Sequence, residues 1–285
     1  MKILKKTLKW LGIIILLLVI AAASLYMIYL RPFMQQMKAE TIIQYDKDLT
    51  IILGGGGNSA ILNSDSLVIV IDTKMDEAAE KLADKTKELA GKKPILVVNT
   101  HFHPDHTGGN KFFSGQTIIA GGNYTKEFWE KEASKESLPT EWLADKMDIK
   151  MGDDTVTLFN LARNVHTQSD IVVYLHKRKM LFTGDVILNK QAPVLRGSAD
   201  PDGYLWAIET FPKQFDIQKI VPGHGDVGGI EIINDFHQYF IDMQAAADDD
   251  SKRDELVAKY KSWRQIPFMM SPGATISALK KKAAH

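Results

Sequence analysis

The sequence has no cysteine. Disulfide bridges, thiolate zinc sites and a cysteine nucleophile are therefore excluded. It also has no net charge, since 35 basic residues face 35 acidic ones. A nucleic-acid surface normally shows itself as a basic excess, so no nucleic-acid partner is expected. Histidine is scarce, at eight in 285 residues. Yet three histidines and an aspartate, His101, His103, Asp105 and His106, fall within six positions of THFHPDHTGGN, Thr100 to Asn110. Hydrophobic content of 45% and charged content of 25% are ordinary, and the length suits one large domain with appendages.

Acidic residues are missing altogether from the first thirty-one positions, which carry Lys2, Lys5, Lys6, Lys9 and Arg31. Trp10 to Leu30 is uncharged and almost wholly apolar, and as a helix it would span roughly 31 Å, about the thickness of a bilayer core. Two readings compete. A signal peptide could be cut after Ala21–Ala23, but its apolar region would be shorter and would stop near the cut. Here the run continues through Leu25, Met27, Ile28 and Leu30, which favours an uncleaved anchor over residues 1–31. A buried helix of a soluble protein would not be apolar on every face. The lysine bias places the N-terminus in the cytoplasm and the body outside, and Arg31 and Lys38 weaken that bias without reversing it. The body keeps 30 basic against 35 acidic residues, because five basic and no acidic residues precede residue 32.

The body alternates short β-rich runs with helical patterns. Strands are expected at 48–53, as a hairpin within 59–73, and at 94–100, 116–120, 155–159, 171–175, 179–184 and 219–221. Helices fit Met75 to Leu89, stopped by Gly91, then 202–211 and 230–247. Such alternation predicts an α/β domain over 32–247, with sheets covered by helices. Gly54–Gly57 reads as a permissive turn or as a flap over a substrate. Residues 122–150, with Tyr124, Phe128, Trp129 and Trp142, read as a helical insertion, either packed core or a lid. Residues 248–285 read as one amphipathic helix and a frayed tail.

His101 and His103 follow a buried strand and, two residues apart, point the same way if the chain is extended. Pro104 turns the chain, so Asp105 and His106 face a nearby but different direction. One cation could not comfortably use all four, whereas two adjacent cations could each take a pair. Imidazole and carboxylate without sulfur suit zinc, with iron or manganese possible. Further candidate ligands sit at strand ends: His166 before IVVYL, Asp185 after KMLFT and His224 after KIV. Loops on a rigid scaffold can bring such residues to one rim.

This order of residues, His101-x-His103-x-Asp105-His106 followed by His166, Asp185 and His224, resembles the metallo-β-lactamase fold superfamily, over roughly Glu40 to His237. The resemblance implies a four-layer αββα sandwich, here preceded by one N-terminal transmembrane helix. It implies a first metal held by His101, His103 and His166, a second by Asp105, His106 and His224, and Asp185 bridging both. Asp72, ending VIVIDT, would orient a ligand histidine. Asp185 in TGD departs from the β-lactamase branches, which carry cysteine or serine in that region. Histidine rather than glutamate at the second position departs from the flavodiiron oxidoreductases. Glyoxalase II shares the ligands, but helices that would grip glutathione are not evident.

The implied activity is metal-assisted hydrolysis of a small ester, thioester or lactone-like substrate, with Asp105 handing a proton to the leaving group. A β-lactam or phosphodiester substrate is the alternative on the same metals; a non-catalytic zinc domain would show a broken ligand set. Asp170 reads as a local cap, and His176, His237 and His285 as surface or packed residues. Protease added to intact cells tests the expected orientation: the body should be digested, and a fully protected body would contradict it.

Overall fold

The computed structural model describes residues 2–32, 39–133, 138–266 and 269–283. Helix α1 (Lys2–Leu25) continues through a π-helical turn at Tyr26–Leu30. Its stretch Lys9–Leu30 is long and apolar enough to cross a membrane, and its most apolar part holds no buried residue. A signal sequence shares those features.

Twelve strands follow among the described residues. The first sheet holds β1 (Glu40–Gln44), β2 (Leu49–Gly54), β3 (Ser59–Asn63), β4 (Val68–Ile71), β5 (Ile95–Val98), β6 (Thr117–Gly121) and β7 (Glu141–Leu143), in that order. Strands β1 to β4 pair antiparallel, and β4 to β7 pair parallel. The second sheet holds β8 (Lys146–Met151), β9 (Asp154–Asn160), β10 (Ile171–Leu175), β11 (Met180–Gly184) and β12 (Lys219–Pro222), ordered β12-β11-β10-β9-β8. Only β11 and β12 are parallel within it.

Strands β4, β10 and β11 are buried at every position, which is why they read as continuous apolar runs rather than alternating ones. Period-two geometry still sorts their side chains. Ile69 and Ile71 face the other sheet, among Leu158, Val173 and Phe182. Val68 and Val70 face outward onto Leu82 and Ala83 of helix α2 (Asp76–Ala90). Across the molecule Val172, Leu181 and Ile220 pack outward on Tyr204, Ile208 and Phe211 of α5 (Pro201–Gln214) and on Phe236 and Phe240 of α6 (Glu231–Asp248). The short helices α3 (Pro104–Thr107) and α4 (Lys126–Glu132) lie between α2 and α5 in the chain. The result is the expected four-layer αββα sandwich.

Three expectations are corrected. Residues 122–150 are helical only at α4; the rest supplies β7 and β8. The alternation of half-buried and exposed residues along KMDIKM is an edge-strand pattern, which charge and aromatic content obscured. Trp129 is fully buried beside Ala120 and Tyr124, so this region packs as core rather than as a lid. The C-terminal segment holds two helices, α7 (Arg253–Lys259) and α8 (Pro272–Ala283), rather than one. Tyr260, Ile276 and Leu279 join the core beneath α6, and the lysines of the tail continue α8 instead of fraying; His285 lies outside the described residues. The Gly54–Gly57 turn is packed rather than a flap: its last three residues are buried, and Gly57 N–H donates to the Asp105 carbonyl at 3.0 Å.

Candidate metal centre

Topology gathers the chemistry at one edge. Strands β4 and β5 are parallel, so Asp72 and His101, just past their C-terminal ends, emerge together. Strands β11 and β12 are also parallel, which places Asp185 and His224 at a common edge. Strand β10 runs antiparallel to β11, so the loop that enters it brings His166 to the same rim. Pro104 opens α3 at its first turn, and this single turn swings His106 inward behind His103.

Three ring nitrogens converge at one end of the site. His101 Nε2 lies 3.0 Å and His166 Nε2 2.9 Å from His103 Nδ1. At the other end Asp105 Oδ2 lies 3.2 Å from His224 Nε2 and 3.7 Å from His106 Nε2. Asp185 stands between the two groups. Its Oδ2 is 3.5 Å from His166 Nε2, while its Oδ1 is 3.2 Å from His106 Nε2 and 3.4 Å from His224 Nε2. Donors from His101, His103 and His166, from His101, His106 and Asp185, and from Asp105, His106 and His224 form clusters compact enough to hold a cation.

Of the three buried side-chain atoms without a hydrogen-bond partner among the described residues, two belong to the cluster, His106 Nε2 and Asp185 Oδ1. Leaving buried polar atoms unsatisfied costs about 1–3 kcal/mol each. Both point into the cluster, as ligand atoms would, and the all-nitrogen-and-oxygen donor set suits zinc, iron or manganese.

The outward-facing ring nitrogens of His101, His106 and His166 are pinned. His106 Nδ1–H donates to Asp72 Oδ2 at 2.7 Å. That carboxylate also accepts from Thr100 N–H and from Thr100 Oγ1, both at 2.7 Å. Thr100 Oγ1 lies 3.1 Å from His101 Nδ1 and, with its own proton on Asp72, accepts from that ring. His166 Nδ1 lies 2.8 Å from Tyr204 Oη. The contacts that lead back to Asp72 fix the His106 and His101 tautomers that aim Nε2 into the cluster, and Tyr204 holds the orientation of the His166 ring. Asp170, read as a local cap, accepts from the backbone N–H groups of His166 and Thr167 and shapes the loop that presents His166.

Electrostatics divides the cluster. Burial pushes His101 well below its ordinary value and His166 down to about 3, so both are neutral and free to ligate. Burial also lowers His103. At His106 and His224 burial acts in the same direction but is outweighed by carboxylates. Asp72, Asp105 and Asp185 raise His106, and Asp185 with Asp105 lifts His224 to about 9. The facing histidines hold Asp105 and Asp185 low, against the upward push of burial. Burial pushes Asp170 up to about 6.

A second support lies behind the site. Lys74 is fully buried, and its Nζ donates to the carbonyls of Ile52 at 3.0 Å, Gly57 at 2.9 Å and Gly54. It ties the glycine turn down against the metal-facing side chains. A Cβ on Gly57 would come within 2.3 Å of the His106 ring, so only glycine lets the turn approach this closely. Asn58 Nδ2 donates to the carbonyls of Pro222 and Gly225, joining this turn to the His224 loop.

The structure brings together all the residues expected at the site, His101, His103, Asp105, His106, His166, Asp185 and His224, with Asp72 behind them. His176 and His237 lie apart: His176 is exposed in the turn after β10, and His237 is half-buried on α6. Thr100, Tyr204, Lys74 and Asn58 escaped the sequence reading, because no local spacing marks contacts made between segments well apart in the chain, from Lys74 back to the glycine turn to Asn58 across to the His224 loop.

Asp72→Asn removes the acceptor that orients His106 and Thr100. Metal affinity should fall about 10–100-fold, measured by competition with a chromogenic chelator, with the fold retained. Unchanged affinity would contradict the orienting role.

The family model described as Metallo-beta-lactamase superfamily matches residues 52–224, a span that holds the whole cluster. The chain is similar to a Metallo-beta-lactamase type 2 from Bacillus cereus, 30% identical over 176 residues that cover 60% of this chain and 68% of that protein. It is also similar to the Acyl-coenzyme A thioesterase MBLAC2 of Gallus gallus, 24% identical over 169 residues, 50% of this chain and 60% of that one. Among solved structures, a metallo-beta-lactamase from Pontibacter korlensis aligns with a TM-score of 0.61 at 21% identity, over 71% of this chain and 99% of the other, a likeness of fold. The sandwich, the clustered histidines and aspartates at its edge and the match over 52–224 lead to one conclusion: the chain belongs to the metallo-β-lactamase superfamily of metal-dependent hydrolases.

Proposed function

We propose that this protein is a membrane-tethered hydrolase that holds two zinc ions and cleaves a small ester, thioester or lactone-like substrate, iron or manganese being the alternative metals. The observation that carries the reading is the placement of Asp185, which turns one oxygen toward His166 and the other toward His106 and His224. His101, His103 and His166 are assigned to one ion, Asp105, His106 and His224 to the other, and Asp185 to both.

When bound, such a pair lowers the pKa of water and polarises a substrate oxygen. The protein's own groups do the rest. Asp72, Thr100 and Tyr204 fix the ring orientations. Asp105 is half-exposed, and its carboxylate can take a proton and pass it to the leaving group. The half-buried Phe102 and Phe128 rings, beside His103, give an apolar wall for the acyl side of the substrate. A thioesterase among the relatives supports that bond type. A β-lactam substrate is the second reading, favoured by relatives named as β-lactamases; against it, Asp185 stands where those branches carry cysteine or serine.

In this reading residues 1–31 are the anchor, 32–247 the catalytic body, and 248–285 a segment that completes the helical layer. A small-molecule substrate and the lipid bilayer are the partners.

Elemental analysis of the full-length protein, with a chromogenic panel of esters, thioesters, lactones and a cephalosporin, tests the proposal. Two zinc ions per chain and chelator-sensitive turnover of the ester-like compounds are expected. His103→Ala should lower turnover at least about 100-fold, and Asp105→Asn should lower kcat by about 10²–10⁴. Turnover indifferent to chelator and to His103→Ala would refute the mechanism; cephalosporin cleavage alone would favour the second reading.

A further inference from the structure

The described end of the N-terminal helix does not stand clear of the body. Tyr29 borders a cavity of about 1220 Å³ that is walled by the 195–201 loop, α7 and one side of α8. Small residues of α8, Gly273, Ala274, Ser277 and Ala278, keep that wall low and the cavity open. Its charge is one-sided. Arg196, Arg253, Lys261, Lys281 and Lys282 line it, against a single carboxylate, Asp200. Lys282 already takes that carboxylate at 2.7 Å. Among the described residues no carboxylate forms an ion pair with Arg253, Lys261 or Lys281.

We propose that this cavity binds the headgroup of an anionic phospholipid from the bilayer that the N-terminal helix spans. The inference rests on the anchor reading, and the location of Tyr29 makes it specific. Tyrosine and tryptophan concentrate at membrane interfaces. Trp10 and Tyr29 stand nineteen residues apart on the helix, roughly 29 Å, which sets one at each face of a hydrocarbon core. The cavity mouth beside Tyr29 is then at headgroup depth, where a phosphodiester is the abundant anion.

The site has a consequence for the metal edge. Ile28, Tyr29 and Pro32 also border a second cavity, of about 460 Å³, together with Asn189, Gly225 and Asp226. Gly225 directly follows His224, and Asn189 N–H donates to the His224 carbonyl at 3.0 Å. A lipid held in the basic cavity steadies the rim that carries His224 against the bilayer, so the metal edge faces substrates at the membrane surface.

The full-length chain in nanodiscs tests this. Wild type is prepared in phosphatidylcholine alone or mixed with phosphatidylglycerol, then stripped in detergent, and retained phospholipid is counted by native mass spectrometry. Wild type should retain phosphatidylglycerol and not phosphatidylcholine. The triple variant Arg253→Gln/Lys261→Gln/Lys281→Gln should retain it about 100-fold less tightly, since each cation at a lipid surface contributes roughly fivefold. A control triple on the opposite helical layer, Lys87→Gln/Lys92→Gln/Lys111→Gln, should behave as wild type. Equal retention by both triples, equal retention of both lipids, or inorganic phosphate binding as tightly as the lipid would overturn the proposal. Metal content and thermal midpoint are read on the same samples. A triple variant that keeps both has failed only at the lipid site, whereas loss of metal from wild type strikes the hydrolase reading instead. Carbonate extraction of membranes separately checks the anchor.

Discussion

The carboxylate of Asp72 is the contact on which the metal edge depends. It leaves β4 in a left-handed backbone conformation, with φ of 56°, and so reaches across to the neighbouring strand end. There it accepts from the Thr100 amide, the Thr100 hydroxyl and the His106 ring. Through Thr100 it also sets His101. One buried anion therefore orients rings in both halves of the site. Such an arrangement is costly unless the buried carboxylate is hydrogen-bonded, and here three donors engage both of its oxygens.

The fold supplies the rest of the constraint. Two sheets covered on both outer faces cannot shift relative to one another without disturbing several packed layers. Strand ends that emerge from such a scaffold are fixed in position, and loops at those ends inherit that rigidity. Lys74 and Asn58 extend it to the glycine turn and the His224 loop, which are distant in sequence. Burial then separates the electrostatics, with neutral rings at His101 and His166 and a charge-balanced group of carboxylates and rings around His106 and His224.

Much of this was legible in the sequence, for physical reasons. Runs such as IVVYL and KMLFTG are apolar because both faces of their strands are buried, and the clustered histidines and aspartates follow or precede those runs because only strand ends reach the rim. The crowded histidines stood out because so few lie elsewhere. What escaped was long-range or masked. Tyr204 meets His166 across thirty-eight residues, with no local spacing to announce it. The edge strand β8 hid its period under alternating charge, and whether Trp129 was core or lid stayed open until its neighbours from β6 were in place. The C-terminal lysines suggested a loose tail, yet Ile276 and Leu279 of the same helix pin it to the core.

The central claim is that side chains far apart in sequence cage two cations, with one aspartate shared between them. Anomalous diffraction at the zinc edge, from crystals grown with zinc, measures it most directly. The account predicts two peaks about 3.5–4 Å apart, one among His101, His103 and His166, the other among Asp105, His106 and His224, with Asp185 touching both. A single peak, or paired peaks that leave Asp185 uncoordinated, would contradict it.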